Sequence, residues 1–141
     1  MCKHHLTVRA VAIIILSMAA LAGATDTCVT GKSTYFTYQS CIREGNSGIT
    51  ASGIQLNDSK LWCALPKDVQ RAQNIRFGQK VLVKNLLNGT TVIVVLKDTG
   101  PGKKARKSGT VIDLTAAAFI TLAGSTNIGK IPVTYTIMRT K

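Results

Sequence analysis

Residues 80–101 read KVLVKNLLNGTTVIVVLKDTGP, and this stretch decides the fold. Val81-Leu82-Val83 and Val92-Ile93-Val94-Val95-Leu96 are short aliphatic runs rich in β-branched residues, with Leu87-Asn88-Gly89 between them. Asn-Gly supplies the positive φ angles that a tight connection between antiparallel strands demands, so residues 80–97 are predicted to form a hairpin. The second run is apolar without interruption, which predicts a strand buried on both faces, as inside a small barrel. Asp98-Thr99-Gly100-Pro101-Gly102 then forms a turn that leaves one carboxylate, Asp98, at the end of that strand.

Downstream, Lys103-Lys104-Ala105-Arg106-Lys107 is predicted to be a solvated basic loop, followed by a strand over Val111-Ile112-Asp113-Leu114. Thr115 is positioned to cap a short helix from Ala116 to Ala123, which Gly124 ends. Ile131 to Met138 alternates Val133, Tyr135 and Ile137 with Thr134 and Thr136, the period of a half-buried strand. Upstream, Lys32 to Tyr38 is predicted to be a first strand, Ile49 to Gly53 a short extended piece ending in a turn, and Pro66 to Ile75 a short helix. The expected class is mainly β, with one or two short helices. Residues 25–141 are expected to form a single domain, since no linker or low-complexity tract divides them.

Residues 1–24 have the order of a secretory signal peptide: Lys3 and Arg9 first, an apolar stretch from Val11 to Ala22, then Ala22-Gly23-Ala24. The apolar run is far short of the roughly 20 residues a spanning helix needs, so no stable membrane anchor is expected. The expected location is secreted and extracellular, or periplasmic in a Gram-negative cell. Of 18 basic and 6 acidic side chains, only Lys3 and Arg9 fall in residues 1–24, leaving +10 for the remainder. That field favours anionic partners. Export and the absence of a recognition motif argue against nucleic acid, because the few aromatic residues are not interleaved with the basic ones. A monomer is expected.

Both histidines, His4 and His5, precede residue 25, which excludes Ser/His and Cys/His nucleophiles and His-bearing zinc sites from the remainder. No motif implies a metal or organic cofactor. Cys28, Cys41 and Cys63 are the cysteines left. In an oxidising compartment three cysteines predict one disulfide and one leftover thiol; the pairing taken forward is Cys41 with Cys63, the others staying open.

The remaining acid/base groups are Asp26, Glu44, Asp58, Asp68, Asp98 and Asp113. Asp98, at the end of an apolar strand, is expected either to be desolvated and act as a general acid or to cap its turn by accepting backbone N–H bonds. Asp113 poses the same choice, flanked by Ile112 and Leu114 and just ahead of a helix start. The basic run joins the two aspartates, so Lys103, Lys104 and Arg106 are expected to overhang any groove they line. Tyr35, Phe36, Tyr38 and Trp62 are placed either to stack on sugar rings or to fill the core.

Several segments together resemble a known family: Gly31-Lys-Ser-Thr-Tyr-Phe36, Thr50-Ala-Ser-Gly53, Leu65-Pro66, Phe77-Gly-Gln-Lys-Val81, Lys97-Asp-Thr-Gly-Pro101 and Ile112-Asp-Leu-Thr115. This is similar to the six-stranded double-psi β-barrel of the RlpA-like lytic transglycosylases. Ala118-Phe119 and Gly129-Lys-Ile-Pro-Val133 also resemble the first domain of bacterial expansins and plant natriuretic peptide-like proteins. The resemblance implies that the barrel engages cell-wall polysaccharide, such as peptidoglycan, probed by Asp98 as acid/base and Asp113 in the groove, with Thr34 and Tyr35 as groove residues. Ile54 and Trp62 stand where lytic members carry a glutamate and a histidine. Cleavage by a lytic mechanism, wall binding or loosening without cleavage, and a secreted signalling or inhibitor barrel all remain as expectations.

Overall fold

A computed structural model describes residues 26–140. Along them the chain forms β1 (Cys28–Phe36), α1 (Tyr38–Arg43), β2 (Trp62–Leu65), α2 (Lys67–Ala72), β3 (Lys80–Asn85), β4 (Thr91–Thr99), α3 (Lys103–Lys107), β5 (Thr110–Thr115), α4 (Ala116–Ala123) and β6 (Ile131–Met138). The signal peptide expected over residues 1–24 lies outside the described residues.

The six strands close into a barrel in the order β1-β5-β2-β4-β3-β6. Two pairs are parallel, β1 with β5 and β2 with β4, and the other four are antiparallel. Exchanging β1 with β4, β2 with β5 and β3 with β6 reproduces every pairing with its direction. The barrel therefore has the pseudo-twofold, interlocked topology of a double-psi barrel, and closure leaves no unpaired sheet edge.

The hairpin forms as predicted, with Lys84 opposite Thr91 and Lys80 opposite Val95. Its connection is longer than a two-residue turn, and only Gly89 takes a positive φ, 74°. The side chains of Asn85 and Asn88 accept from the backbone N–H groups of Leu87 and Thr90. Both asparagines donate through Nδ2 to the Leu122 carbonyl, fixing the loop to the end of α4.

β4 alternates rather than being buried on both faces: Val92, Val94 and Leu96 point inward while Ile93 is 45% exposed. Among the described residues no second layer covers Ile93, and the aliphatic run reflects the preference of strands for β-branched side chains. β6 keeps its predicted alternation, with Ile131, Val133, Tyr135 and Ile137 buried. Val81, Val83, Ile112 and Leu114 join them, and Phe119 and Leu122 of α4 complete the core. Each such side chain contributes about 1.5–3 kcal/mol on burial. Desolvation in this core pushes the Tyr135 hydroxyl up to about 12.

The described residues hold four short helices where one or two were expected. α1 takes the end of the stretch predicted as a first strand, because Thr37 and Ser40 cap it reciprocally. α3 coils what was predicted as a basic loop. Thr115 stands at the start of α4, but its hydroxyl caps nothing there; it donates to the Lys60 carbonyl and accepts from the Trp62 N–H, anchoring β2.

The expected Cys41–Cys63 disulfide is absent, and all three cysteines in the described residues are free. Cys63 is fully buried, in register with Leu96 and Leu114, whereas Cys41 sits on α1 outside the barrel. Barrel closure has committed Cys63 to the interior, where burial pushes its thiol well up.

Candidate functional site: a groove across β1, β5, β2 and β4

Parallel pairing of β1 with β5 places Thr34 opposite Asp113. Ala64 of β2 is in register with Asp113 on one side and Asp98 on the other, so the two aspartates flank one small residue. Two strand spacings separate their backbones, about 10 Å. Cys63 pairs with Leu96 but Ala64 with Asp98, making Lys97 the extra residue of a β-bulge. Without the bulge Asp98 would continue the inward set Val92, Val94 and Leu96. Gly100 keeps the floor open: a Cβ there would stand 3.4 Å from Asp113 Oδ2 and 3.6 Å from the Ala64 Cβ.

Asp98 Oδ1 accepts from the backbone N–H groups of Ala51 at 2.9 Å and Thr99 at 2.8 Å. Ser52 N–H donates to the Lys97 carbonyl, so the turn over residues 50–53 docks on the bulge. Of the two uses expected for Asp98, capping is what its Oδ1 does. Asp113 does not cap α4; it accepts a hydrogen bond from the Thr34 hydroxyl. Burial pushes the Asp113 carboxyl above the usual carboxylate range, helped by the negative charges of Asp98 and Glu44 and opposed by the Thr34 hydroxyl and Lys130.

Around this pair lies a cavity of about 300 Å³ whose lining includes Asp98, Asp113, Ala64, Glu44, Cys41 and Phe36. It continues into a wider groove of about 760 Å³ that shares Phe36, Cys41, Glu44, Gly102 and Asp113 and adds Thr34, Tyr35, Lys103, Lys104 and Lys130. Tyr35 is 36% exposed, and its ring is held 5.2 Å from that of buried Phe119 at a tilt of 49°. α1 supplies Glu44 at its C-terminal cap. Gly48 completes the opposite wall, where a positive φ of 74° and the nearby Tyr38 ring leave no room for a side chain.

Thr34, Tyr35, Asp98, Asp113, Lys103 and Lys104 are thus gathered at one groove. Arg106 is not: its guanidinium makes two 2.9 Å bonds to the carboxylate of Asp68 on α2. Trp62 lies outside the groove lining, with Lys97 Nζ 6.0 Å from its ring centroid. Ile54 is 39% exposed on the 50–55 turn and also lines neither part. Glu44, Lys130 and Cys41 were not expected as groove residues; each comes from an element whose placement depends on the closed barrel. The Cys41 thiol is pushed up by burial and by the nearby charges of Asp98, Glu44 and Asp58.

Among the described residues no group of three or more His, Cys, Asp or Glu side chains could hold a metal ion. None of their helices is long and apolar enough to cross a membrane.

No protein-family model matches the chain, and no curated protein matches it. Solved structures do. A Streptomyces papain inhibitor aligns at 28% identity with a TM-score of 0.59, covering 80% of this chain and 96% of the inhibitor. A Clavibacter michiganensis expansin in complex with cellohexaose aligns at 20% identity and TM-score 0.56, covering 80% of this chain and 51% of the expansin. The apo expansin of the same organism aligns at 21% identity and TM-score 0.57, covering 82% and 52%. This chain spans about half the length of the expansins, and their likeness shows the fold: a closed, six-stranded, double-psi-like barrel.

Proposed function

We propose that this is an exported, monomeric barrel that binds cell-wall polysaccharide along the Thr34–Tyr35–Asp98–Asp113 groove without cutting it. The observation that carries the reading is the shared groove of an exposed, core-braced tyrosine and a half-buried carboxyl bonded to Thr34. An aromatic face and fixed polar groups in one trough suit sugar rings, which present an apolar face and a rim of hydroxyls. The expansin held with cellohexaose supports the same use of this fold. Against lytic chemistry stand Ile54 and Trp62, neither of which supplies a polar group to the groove, and the engagement of Asp98 Oδ1 with two backbone donors. Residues 1–24 support export.

The test incubates the protein with peptidoglycan sacculi and, separately, with cellohexaose, measuring binding by pelleting and calorimetry and products by mass spectrometry. Saturable binding with no new sugar products is expected. Anhydro-sugar products from the wild type that vanish in Asp98→Asn would replace this reading with a lytic enzyme.

A second reading is favoured by one observation, the match to the Streptomyces papain inhibitor over 96% of its length. Here the barrel blocks a cysteine protease. Titration against papain separates the two, since a glycan-binding barrel leaves peptide hydrolysis unchanged.

A further inference from the structure

The groove is unevenly charged. Asp98 lines only the narrow part, Lys103, Lys104 and Lys130 line only the wide part, and Glu44 and Asp113 lie where the two parts join. Among the described residues the one salt bridge joins Arg106 to Asp68, so these three ammonium groups have no carboxylate within ion-pair distance. Lys130 Nζ donates to Ser108 Oγ at 3.0 Å, and the Ser108 hydroxyl donates its own hydrogen to the Ala105 carbonyl at 2.8 Å. Ser108 thus acts on Lys130 only as an acceptor, fixing its position while two of its three N–H donors remain uncommitted.

An independent observation concerns Thr110 in the same lining. It is 1% exposed, and its Oγ1 is buried without a hydrogen-bond partner. Folded proteins leave few such groups unpaired, so this hydroxyl in the groove wall is an uncommitted donor.

We infer that the end of the groove formed by Lys103, Lys104, Lys130 and Thr110 is a subsite for an oxyanion, the carboxylate or phosphate substituent of a wall polymer. Lys130 is its principal donor, Thr110 forms the wall behind it, and Lys103 and Lys104 supply charge at the rim. The inference rests on the groove's reading as a polysaccharide site and narrows it to acidic polymers, whose neutral sugar backbone lies along Tyr35 and Asp113.

The experiment compares a hexasaccharide of galacturonate with cellohexaose by calorimetry at low and high salt, using wild type, Lys130→Met and Lys104→Gln. Lys104 is exposed, so its variant leaves the Lys130–Ser108 bond untouched. The acidic ligand should bind more tightly at low salt, lose about tenfold in Lys130→Met as a charge-assisted contact does, and weaken as salt rises. Cellohexaose should lose clearly less than the acidic ligand in either variant. Equal affinity for both ligands, or an equal loss of both in Lys130→Met, overturns the subsite. If neither hexasaccharide binds, the polysaccharide reading fails, and amide NMR with glucuronate and with glycerol phosphate decides the subsite alone. Shifts confined to residues 103–110 and 130, lost in Lys130→Met, sustain it and separate carboxylate from phosphate; no shifts overturn it as well.

Discussion

Thr34 on β1 and Asp113 on β5 lie opposite each other in a parallel strand pair, and the threonine hydroxyl donates to the aspartate carboxylate. The bond is the larger of two local influences, with the Lys130 charge, that favour the charged form against burial and against two neighbouring acids. Thr34→Val removes it. The Asp113 carboxyl should then rise further, and the protein should lose about 1.5–3 kcal/mol at neutral pH, the range for a hydrogen bond to a charged group. Carboxyl carbon NMR titration and urea unfolding read the two effects. An Asp113 titration unchanged in Thr34→Val would show that the hydroxyl does not act on it.

Burial of Asp113 has the opposite sign for stability. Its proton affinity is higher folded than unfolded, so the folded state holds more proton between the two values and stability falls as pH rises through that interval. The cost persists at neutral pH and is absent below the unfolded value. Asp113→Asn should therefore melt higher than wild type at pH 7, with the gap closing under acid. A gap constant with pH would mean that packing, not ionisation, sets it.

The three thiols are expected to react in order of access. Cys28 is exposed, Cys41 is half-buried with its thiol pushed up by burial and by Asp98, and Cys63 is fully buried. Aromatic disulfide reagents should modify Cys28 first and Cys41 slowly, leaving Cys63 protected until the barrel opens, because the thiolate is the attacking form. A reductant should leave the melting temperature unchanged. A drop on reduction would mean that a cystine forms in the folded protein.

Much of the barrel was legible in local pattern. β6 alternates over eight residues, and the β3–β4 hairpin is bounded by an asparagine-rich turn, so period and turn chemistry agree. β2 was not legible: Trp62–Leu65 is four residues long and almost wholly buried, too short to show any period. α1 was missed because its capping box uses Ser40 where the usual pattern has Glu or Gln. At the site, Thr34, Asp98 and Asp113 were legible as residues, but their juxtaposition was not. It arises from the parallel β1–β5 and β2–β4 pairs, joined by the antiparallel β2–β5 pair, and from the bulge at Lys97, which no local pattern encodes. Lys130 enters the groove only because β1 and β6 are neighbours, and Arg106 leaves it because α2 offers Asp68.

Phe119 ties the core to the groove. It is fully buried on α4, and its ring supports that of Tyr35 from below the groove surface. Phe119→Ala opens a cavity in the core and should cost about 3–5 kcal/mol by urea unfolding. It also frees Tyr35 to leave its position, so any saccharide affinity should fall even under conditions where the variant is fully folded. Phe119→Leu keeps most of the volume but removes the ring, and it should retain most of the stability while losing part of the affinity. Equal affinity in Phe119→Leu and wild type would show that Tyr35 needs no aromatic support and that α4 serves the barrel alone.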